Sequence, residues 1–260
     1  MRTTNPGRTY KAEAVVLRRL SLGETDRVVT LFTRDRGKLN AVAKGSRGPR
    51  SKLAGATEPF TYFEGVFAQG QNLDVLTQAQ VHHPFSVIRK DLVRVGYASH
   101  FLELVDAGTE ERQSMPELWD LLLGALSALE GSTTPDVLSR AFELHALRVI
   151  GYEPSLFECV LDEAPVEEPG VVFHPLRGGM LCARCARINR GGIPISLDTL
   201  AAFRALAYRP FIEAANAAVS AEVAQQLASS MIPYLRNQLE LQLRSLRFLD
   251  DVTAPLPTPE

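Results

Sequence analysis

The chain has 260 residues, 45% of them apolar and 22% charged, and a formal net charge of −2 at neutral pH. That length holds one large domain or two small ones, and that composition excludes an intrinsically disordered chain. There is no apolar run long enough to span a membrane, and the opening MRTTNPGRTYK lacks the apolar centre of a signal peptide, so a cytoplasmic protein is expected.

The small net charge conceals an asymmetry. Residues 1–80 hold 13 basic and 7 acidic side chains, a balance of +6, whereas the remainder hold 15 and 23, a balance of −8. Taken alone, the N-terminal third has the charge of a polyanion-binding module.

Residues 1–9 are expected to fray. Strand patterns then cover Lys11–Leu17, Arg27–Thr33, Leu39–Ala43, Phe60–Phe67 and Leu73–Val81, with turn signals at Arg34–Gly37 and Gln69–Asn72. Five short strands without a helical run between them predict a small closed barrel of the OB-fold type, because closure removes the sheet edges. An open β-domain used only for packing is the competing reading. The pattern changes near His82–Pro84, where His82-His83 reads as a solvated linker pair.

Helical periodicity follows at Asp91–Asp106, Pro116–Leu129 and Pro135–Ile150, and again at Ser196–Ala207 and Ala221–Leu249. Pro233 predicts a kink or break in the last of these. Residues 152–195 read as a non-helical insert, and 250–260, rich in proline and acid, as a disordered tail. The expected class is α+β: an OB-fold barrel over 1–82, a mainly helical domain over 83–249, and a zinc-binding insert at 152–195 within it.

Ten of the 39 residues from Val15 to Leu53 are basic and three are acidic. This block can neutralise phosphates, which gives sequence-independent, salt-sensitive affinity. The candidates are Arg34, Arg36, Lys38, Lys44, Arg47, Arg50 and Lys52, with Arg19 and Arg27 as second choices. Arg47, Arg50 and Lys52 lie on or beside the loop Ser46–Ser51, which could wrap a strand. Six aromatics lie nearby (Tyr10, Phe32, Phe60, Tyr62, Phe63 and Phe67), and two or three are expected to be available for base stacking. Glu24 and Asp26 read as partners of Arg27 or turn caps. The bland alternative is a solvated basic face without a ligand.

Three cysteines without an export signal read as thiols or metal ligands. Cys182-Ala-Arg-Cys185 is a knuckle of zinc-site spacing, and Cys159 precedes it by 23 residues. Asp162 stands where a second knuckle would carry its other cysteine, and a carboxylate can ligate zinc. His174 is the competing fourth ligand. A filled four-ligand site would be structural. Signatures of P-loop, dinucleotide-binding, hydrolase and zinc-deaminase enzymes are missing, so no catalysis and no small-molecule substrate are expected.

In order, the chain carries Val16-Leu17, Gly23-Glu24-x-Asp26, Leu31-Phe32-Thr33, Gly37-Lys38, Ala43-Lys44-Gly45, Leu53, Pro59-Phe60, Gly151-Tyr152-x-Pro154, Cys159 and Gly178-Gly179-x-x-Cys182-x-x-Cys185. This combination resembles the RecO family of bacterial recombination mediators, to about Leu249. The resemblance implies an OB domain, a helical domain and an inserted zinc element. It also implies binding of single- and double-stranded DNA, annealing of complementary strands, and, with RecR, loading of RecA onto DNA covered by single-strand-binding protein. Cys159, Cys182 and Cys185 match the family's zinc positions, and Asp162 replaces the cysteine that many members have. Two other readings stand beside it: a zinc-stapled scaffold whose basic face docks an acidic partner tail, and an RNA-binding OB protein of the translation apparatus.

Overall fold

The computed structural model describes residues 9–239 and 244–253. It divides into two compact units, residues 1–130 and 131–260.

The first unit is built on five strands: β1 (Thr9–Leu22), β2 (Asp26–Thr33), β3 (Gly37–Ala43), β4 (Tyr62–Ala68) and β5 (Asp74–His83). They close into an OB-like barrel in the order β1-β2-β3-β5-β4, with β4 returning to β1. All pairings are antiparallel except β3 with β5, which run parallel. Side chains alternate about the sheet, so Ala12, Ala14, Val16, Val29, Leu31, Leu39, Ala41, Phe63, Phe67 and Leu76 meet in one buried core. Strand β1 runs five residues past the predicted Leu17. After an irregularity between Val16 and Arg18 it continues as a ribbon whose Arg18–Leu22 pair with Thr30–Asp26. These five residues are exposed, so no buried alternation marked them as strand.

Helices α1 (Leu92–Gly108) and α2 (Pro116–Gly131) complete this unit. Asp91 caps α1 by accepting from the Val93 and Arg94 amides at 2.9 and 3.2 Å. Trp119 of α2 is buried against Phe32 and Tyr62, with ring centroids 6.1 and 5.9 Å away. The link between the helices also lies on the barrel: the Arg112 amide donates to the Lys38 carbonyl at 2.8 Å, and the Ser114 hydroxyl to the Arg34 carbonyl at 3.0 Å. Gly37 makes this approach possible. It sits at φ +65°, and a Cβ there would lie 1.8 Å from the Gln113 oxygen. His82 and His83 are not a linker. They end β5, where His83 lies 3.4 Å from Glu130 and accepts from the Phe85 amide.

The second unit holds α3 (Pro135–Val149), α5 (Leu197–Tyr208), α6 (Phe211–Ala215), α7 (Ala221–Gln238) and α8 (Arg244–Thr253). Between α3 and α5 lies a three-stranded sheet, β7-β6-β8, of β6 (Val172–His174), β7 (Gly179–Leu181) and β8 (Ile193–Pro194). Phe173 of β6 stacks on Phe203 of α5 at 5.3 Å and meets the edge of Tyr234 of α7 at 5.5 Å, which fixes the insert to the helices.

Three expectations are corrected here. The insert contains a helix, α4 (Ala183–Ile188), too short for a periodic signal. Helix α7 passes through Pro233 without the break, one of the two outcomes expected there, and ends at Gln238, short of the expected Leu249. Proline in a helix interior costs about 3 kcal/mol, but the burial of Leu227, Met231, Tyr234 and Leu235 on both sides holds the helix in place. Residues 250–253, expected in the tail, belong to α8, and Thr9, expected to fray, opens β1, while 254–260 and 1–8 lie outside the described residues.

Candidate nucleic-acid interface and metal centre

Folding sorts the ten cations of the basic block into paired and unpaired sets. Acids from elsewhere in the unit neutralise half of them. Glu58 binds Arg19 and, at 3.2 Å, Arg27. Asp106 binds Arg18 at 2.7 Å and Lys38 at 3.2 Å. Asp120 lies 3.9 Å from Arg34. Arg27 also donates to the Thr57 hydroxyl at 2.7 Å, and Lys38 to the Asp106 carbonyl, so both are half-buried parts of the fold. A local count of charge along the sequence could not see Glu58, Asp106 or Asp120.

The remainder converge on one loop. Lys44, Arg47, Arg50 and Lys52 are exposed on the segment that follows β3. This segment is held firmly. Asp26 accepts from the Gly45 amide at 2.8 Å, the Arg47 amide donates to the Thr25 carbonyl at 2.9 Å, and the Arg47 guanidinium donates to the Gly23 carbonyl at 2.7 Å. The Gly45 amide, helped by the Thr25 hydroxyl, holds the Asp26 carboxyl below its usual range. Asp26 is therefore a turn cap for this loop, one of the two roles its sequence context suggested. Successive turns close at Gly48, Ser51 and Ala54, and Leu53 packs on the barrel core. Among the described residues, Lys44, Arg50 and Lys52 make no ion pair within 4 Å. The rigid loop thus presents cations with fixed spacing and little competition from acids.

The aromatic expectation is corrected. Phe32, Phe60, Phe63 and Phe67 are buried. Tyr10 is sandwiched between Phe67, at 5.3 Å, and the Arg36 guanidinium, at 3.9 Å. Tyr62 lies against Trp119 and His82 and donates to Glu13. None of the six rings is free for a base. A barrel this small needs its aromatics as core, and what its surface offers is cations and not rings. Arg36 remains half-available beside Tyr10. Asp74 ties the same corner together: fully buried, it accepts from Tyr10 and, at 2.9 Å, from Arg112. Burial would raise its pKa, but these hydrogen bonds and the Gly70 amide bring it below the usual value. Burial and the same bond push the Tyr10 hydroxyl up to about 12.

The second site lies in the insert. Cys182 caps α4, its sulfur accepting from the Cys185 amide at 3.5 Å, which turns both sulfurs to one side. A tight turn from Cys159, closed by the Glu163 amide on the Cys159 carbonyl at 2.9 Å, brings Asp162 opposite. One ligand atom each from Cys159, Asp162, Cys182 and Cys185 lies within 4.8 Å of the others. A tetrahedral ion with bonds of about 2.0–2.3 Å has ligand edges of about 3.3–3.8 Å. Asp162 already lies 3.1 Å from the Cys185 sulfur and 3.5 Å from that of Cys182, so the donor set fits with slight contraction. Without an ion, the Cys159 thiol, the Arg184 guanidinium and the Cys185 thiol donate to Asp162 and hold it far below the carboxylate range. The bond to Asp162, with burial, pushes the Cys185 thiol up to about 12. A bound cation would take the place of those protons. His174 is not in this set; its Nε2 lies 3.1 Å from the Arg190 carbonyl. Sequence reasoning missed Arg184, 2.6 Å from Asp162, although its place inside the knuckle was the available signal.

Family models described as "Recombination protein O N terminal" and "Recombination protein O C terminal" match residues 8–85 and 89–247. The chain is 39% identical to the DNA repair protein RecO of Roseiflexus sp. (strain RS-1), over 96% of this chain and 88% of that one. It is 36% identical to the protein of that name from Symbiobacterium thermophilum, over 93% and 96%, and 32% identical to that of Bacillus subtilis, over 93% and 94%.

Proposed function

This chain belongs to the RecO family of DNA repair proteins, and from that premise we propose that it is a non-enzymatic mediator that holds DNA by its phosphates on the loop after β3. The observation that carries the reading is the segregation of charge. Acids pair with the cations around the barrel and leave Lys44, Arg47, Arg50 and Lys52 together on one rigid loop. The loop is tied to the β1–β2 turn by the Arg47 amide on the Thr25 carbonyl, and the loop between the first two strands is one by which OB barrels bind oligonucleotides. Contact through phosphate, without free aromatic rings, leaves bases unstacked from protein and open to pairing. Binding of single- and double-stranded DNA and annealing of complementary strands follow from such a surface. Cooperation with RecR, single-strand-binding protein and RecA in the cytoplasm completes the reading.

Zinc is the ion that we assign to Cys159, Asp162, Cys182 and Cys185; it would supply a structural staple for the insert. Those residues close the turn at Asp162 and the first turn of α4 on each other. Arg184 offsets the negative charge of a site with three thiolates and a carboxylate.

The test is binding of a fluorescent oligonucleotide, single- or double-stranded, at several salt concentrations. Tight binding that weakens steeply with salt, for any sequence, is the expected result. No binding at low salt, with capture of an acidic peptide tail instead, would replace the mediator by a protein-docking scaffold.

A further inference from the structure

The insert separates its charges along the chain. Between Pro169 and Leu197 it has four arginines and no acid. Arg177, Arg184, Arg187 and Arg190 are all exposed. Among the described residues these four make one ion pair, Arg184 with Asp162. The preceding arm is acidic, with exposed Glu158, Glu163, Glu167 and Glu168. That arm runs beside β7: the Met180 amide donates to the Ser155 carbonyl at 2.9 Å and the Val160 amide to the Met180 carbonyl at 3.0 Å. Arg190 precedes the other edge strand, β8, by three residues in the chain. Acidic arm, β7, β6 and β8 therefore follow in order, and Arg184 is the one of the four arginines that an acid of the arm neutralises among the described residues.

Their backbone is fixed at two points. The Arg177 amide donates to the His174 carbonyl at 3.1 Å, and the Arg190 carbonyl lies 3.1 Å from His174 Nε2. The β6–β7 turn and the segment after α4 thus converge on one buried histidine at one end of the sheet. Arg187 follows Cys185 by two residues on α4, so the four-ligand cluster that anchors the helix also anchors this side chain. Two apolar side chains are next to these arginines in the chain, Leu176 before Arg177 at 72% exposure and Ile188 after Arg187 at 79%. Guanidinium groups match phosphate oxygens in pairs, and exposed aliphatic side chains beside them suit sugar and base edges.

We propose that this arginine face, Arg177, Arg187 and Arg190 with Leu176 and Ile188, is a second contact for the nucleic-acid backbone, separate from the barrel loop. It rests on the DNA-binding reading above. It makes the insert a working surface in addition to a folding staple, although the unit that carries it is acidic in net charge.

Two measurements on the full chain, with its zinc content checked in each variant, decide the matter. The first is the salt slope of single-strand binding for Arg177→Gln/Arg187→Gln/Arg190→Gln. Three lost phosphate contacts should lower the slope by about 2, at about 0.7 per phosphate. Arg→Lys at the same positions should restore most of it. The second is photocrosslinking from position 188 or 176 to a labelled oligonucleotide, with a crosslink expected in low salt. An unchanged slope and no crosslink, in a chain that still binds DNA through its barrel loop, would overturn this inference alone. Crosslinking to an added protein partner but never to DNA would do the same. Failure of the native chain to bind DNA at all would remove the underlying reading as well.

Discussion

Replacing Lys44, Arg50 and Lys52 by glutamine is the sharpest perturbation of the barrel surface. These residues are exposed and make no ion pair within the described residues, so their loss leaves the fold's own contacts intact. Arg47 is spared because its guanidinium holds the Gly23 carbonyl. Of the block's ten cations, five lie beside acids and five do not: Arg36, Lys44, Arg47, Arg50 and Lys52. At about 0.7 per phosphate on single strands, five contacts contribute a slope of about 3.5, and two contribute about 1.4. Raising salt fourfold, from about 50 to 200 mM, should weaken the block's share of binding about a hundredfold in the native chain and about sevenfold in the variant. Fluorescence anisotropy of a labelled oligonucleotide reads both. A variant with the native slope would refute the assignment of DNA to this loop. A larger loss of slope on replacing the paired Arg19 and Arg27, with folding intact, would refute the argument that acid pairing silences cations.

Other outcomes follow from the same geometry. Asp74→Asn should destabilise the chain by about 2–3 kcal/mol at neutral pH, because Tyr10, Arg112 and the Gly70 amide lose a buried carboxylate. The folded pKa of Asp74 is depressed, so this stability is present above about pH 3.9 and lost as pH falls through the folded value. Urea titrations should therefore show the gap between native and variant narrowing below that pH. Trp119→Ala, which empties a fully buried site beside Phe32 and Tyr62, should cost about 3–5 kcal/mol in the same assay. Zinc measured by chelator competition should bind one ion per chain, with Cys185→Ser losing it and Asp162→Cys holding it more tightly. A native chain purified and refolded without affinity for zinc would remove the metal assignment.

The barrel was legible because its strands alternate. Ala12, Ala14 and Val16, like Leu39, Ala41 and Ala43, point inward at period two, and the turns at Gly37 and Gln69–Asn72 separate them. The gathering of Cys159, Asp162, Cys182 and Cys185 was legible because each pair has a knuckle's two-residue spacer. What the sequence hid was non-local. Glu58 and Asp106 reach their cations across 31 to 88 residues, so a basic stretch read alone overstates the free charge. The stacking aromatics were misjudged for the same reason: Tyr62 meets Trp119, 57 residues on, and only the folded chain shows it. Helix α4 lies below the length at which periodicity speaks.

The barrel has one weak stave. Seven or eight residue pairs join each antiparallel neighbour, but β3 and β5 are joined at Ala41–Asp74 and Val42–Val75 alone. Local opening of a sheet begins where its ladder is shortest. Here that place lies at the root of the cationic loop, two residues from Lys44. The cylinder should breathe at this slit, and a polymer gripping the loop should hold it shut. Amide exchange near Val42 and Val75 would then slow when DNA binds, while exchange in β1 and β4 stays as it was. The loop's grip and the barrel's closure would be two readings of one equilibrium.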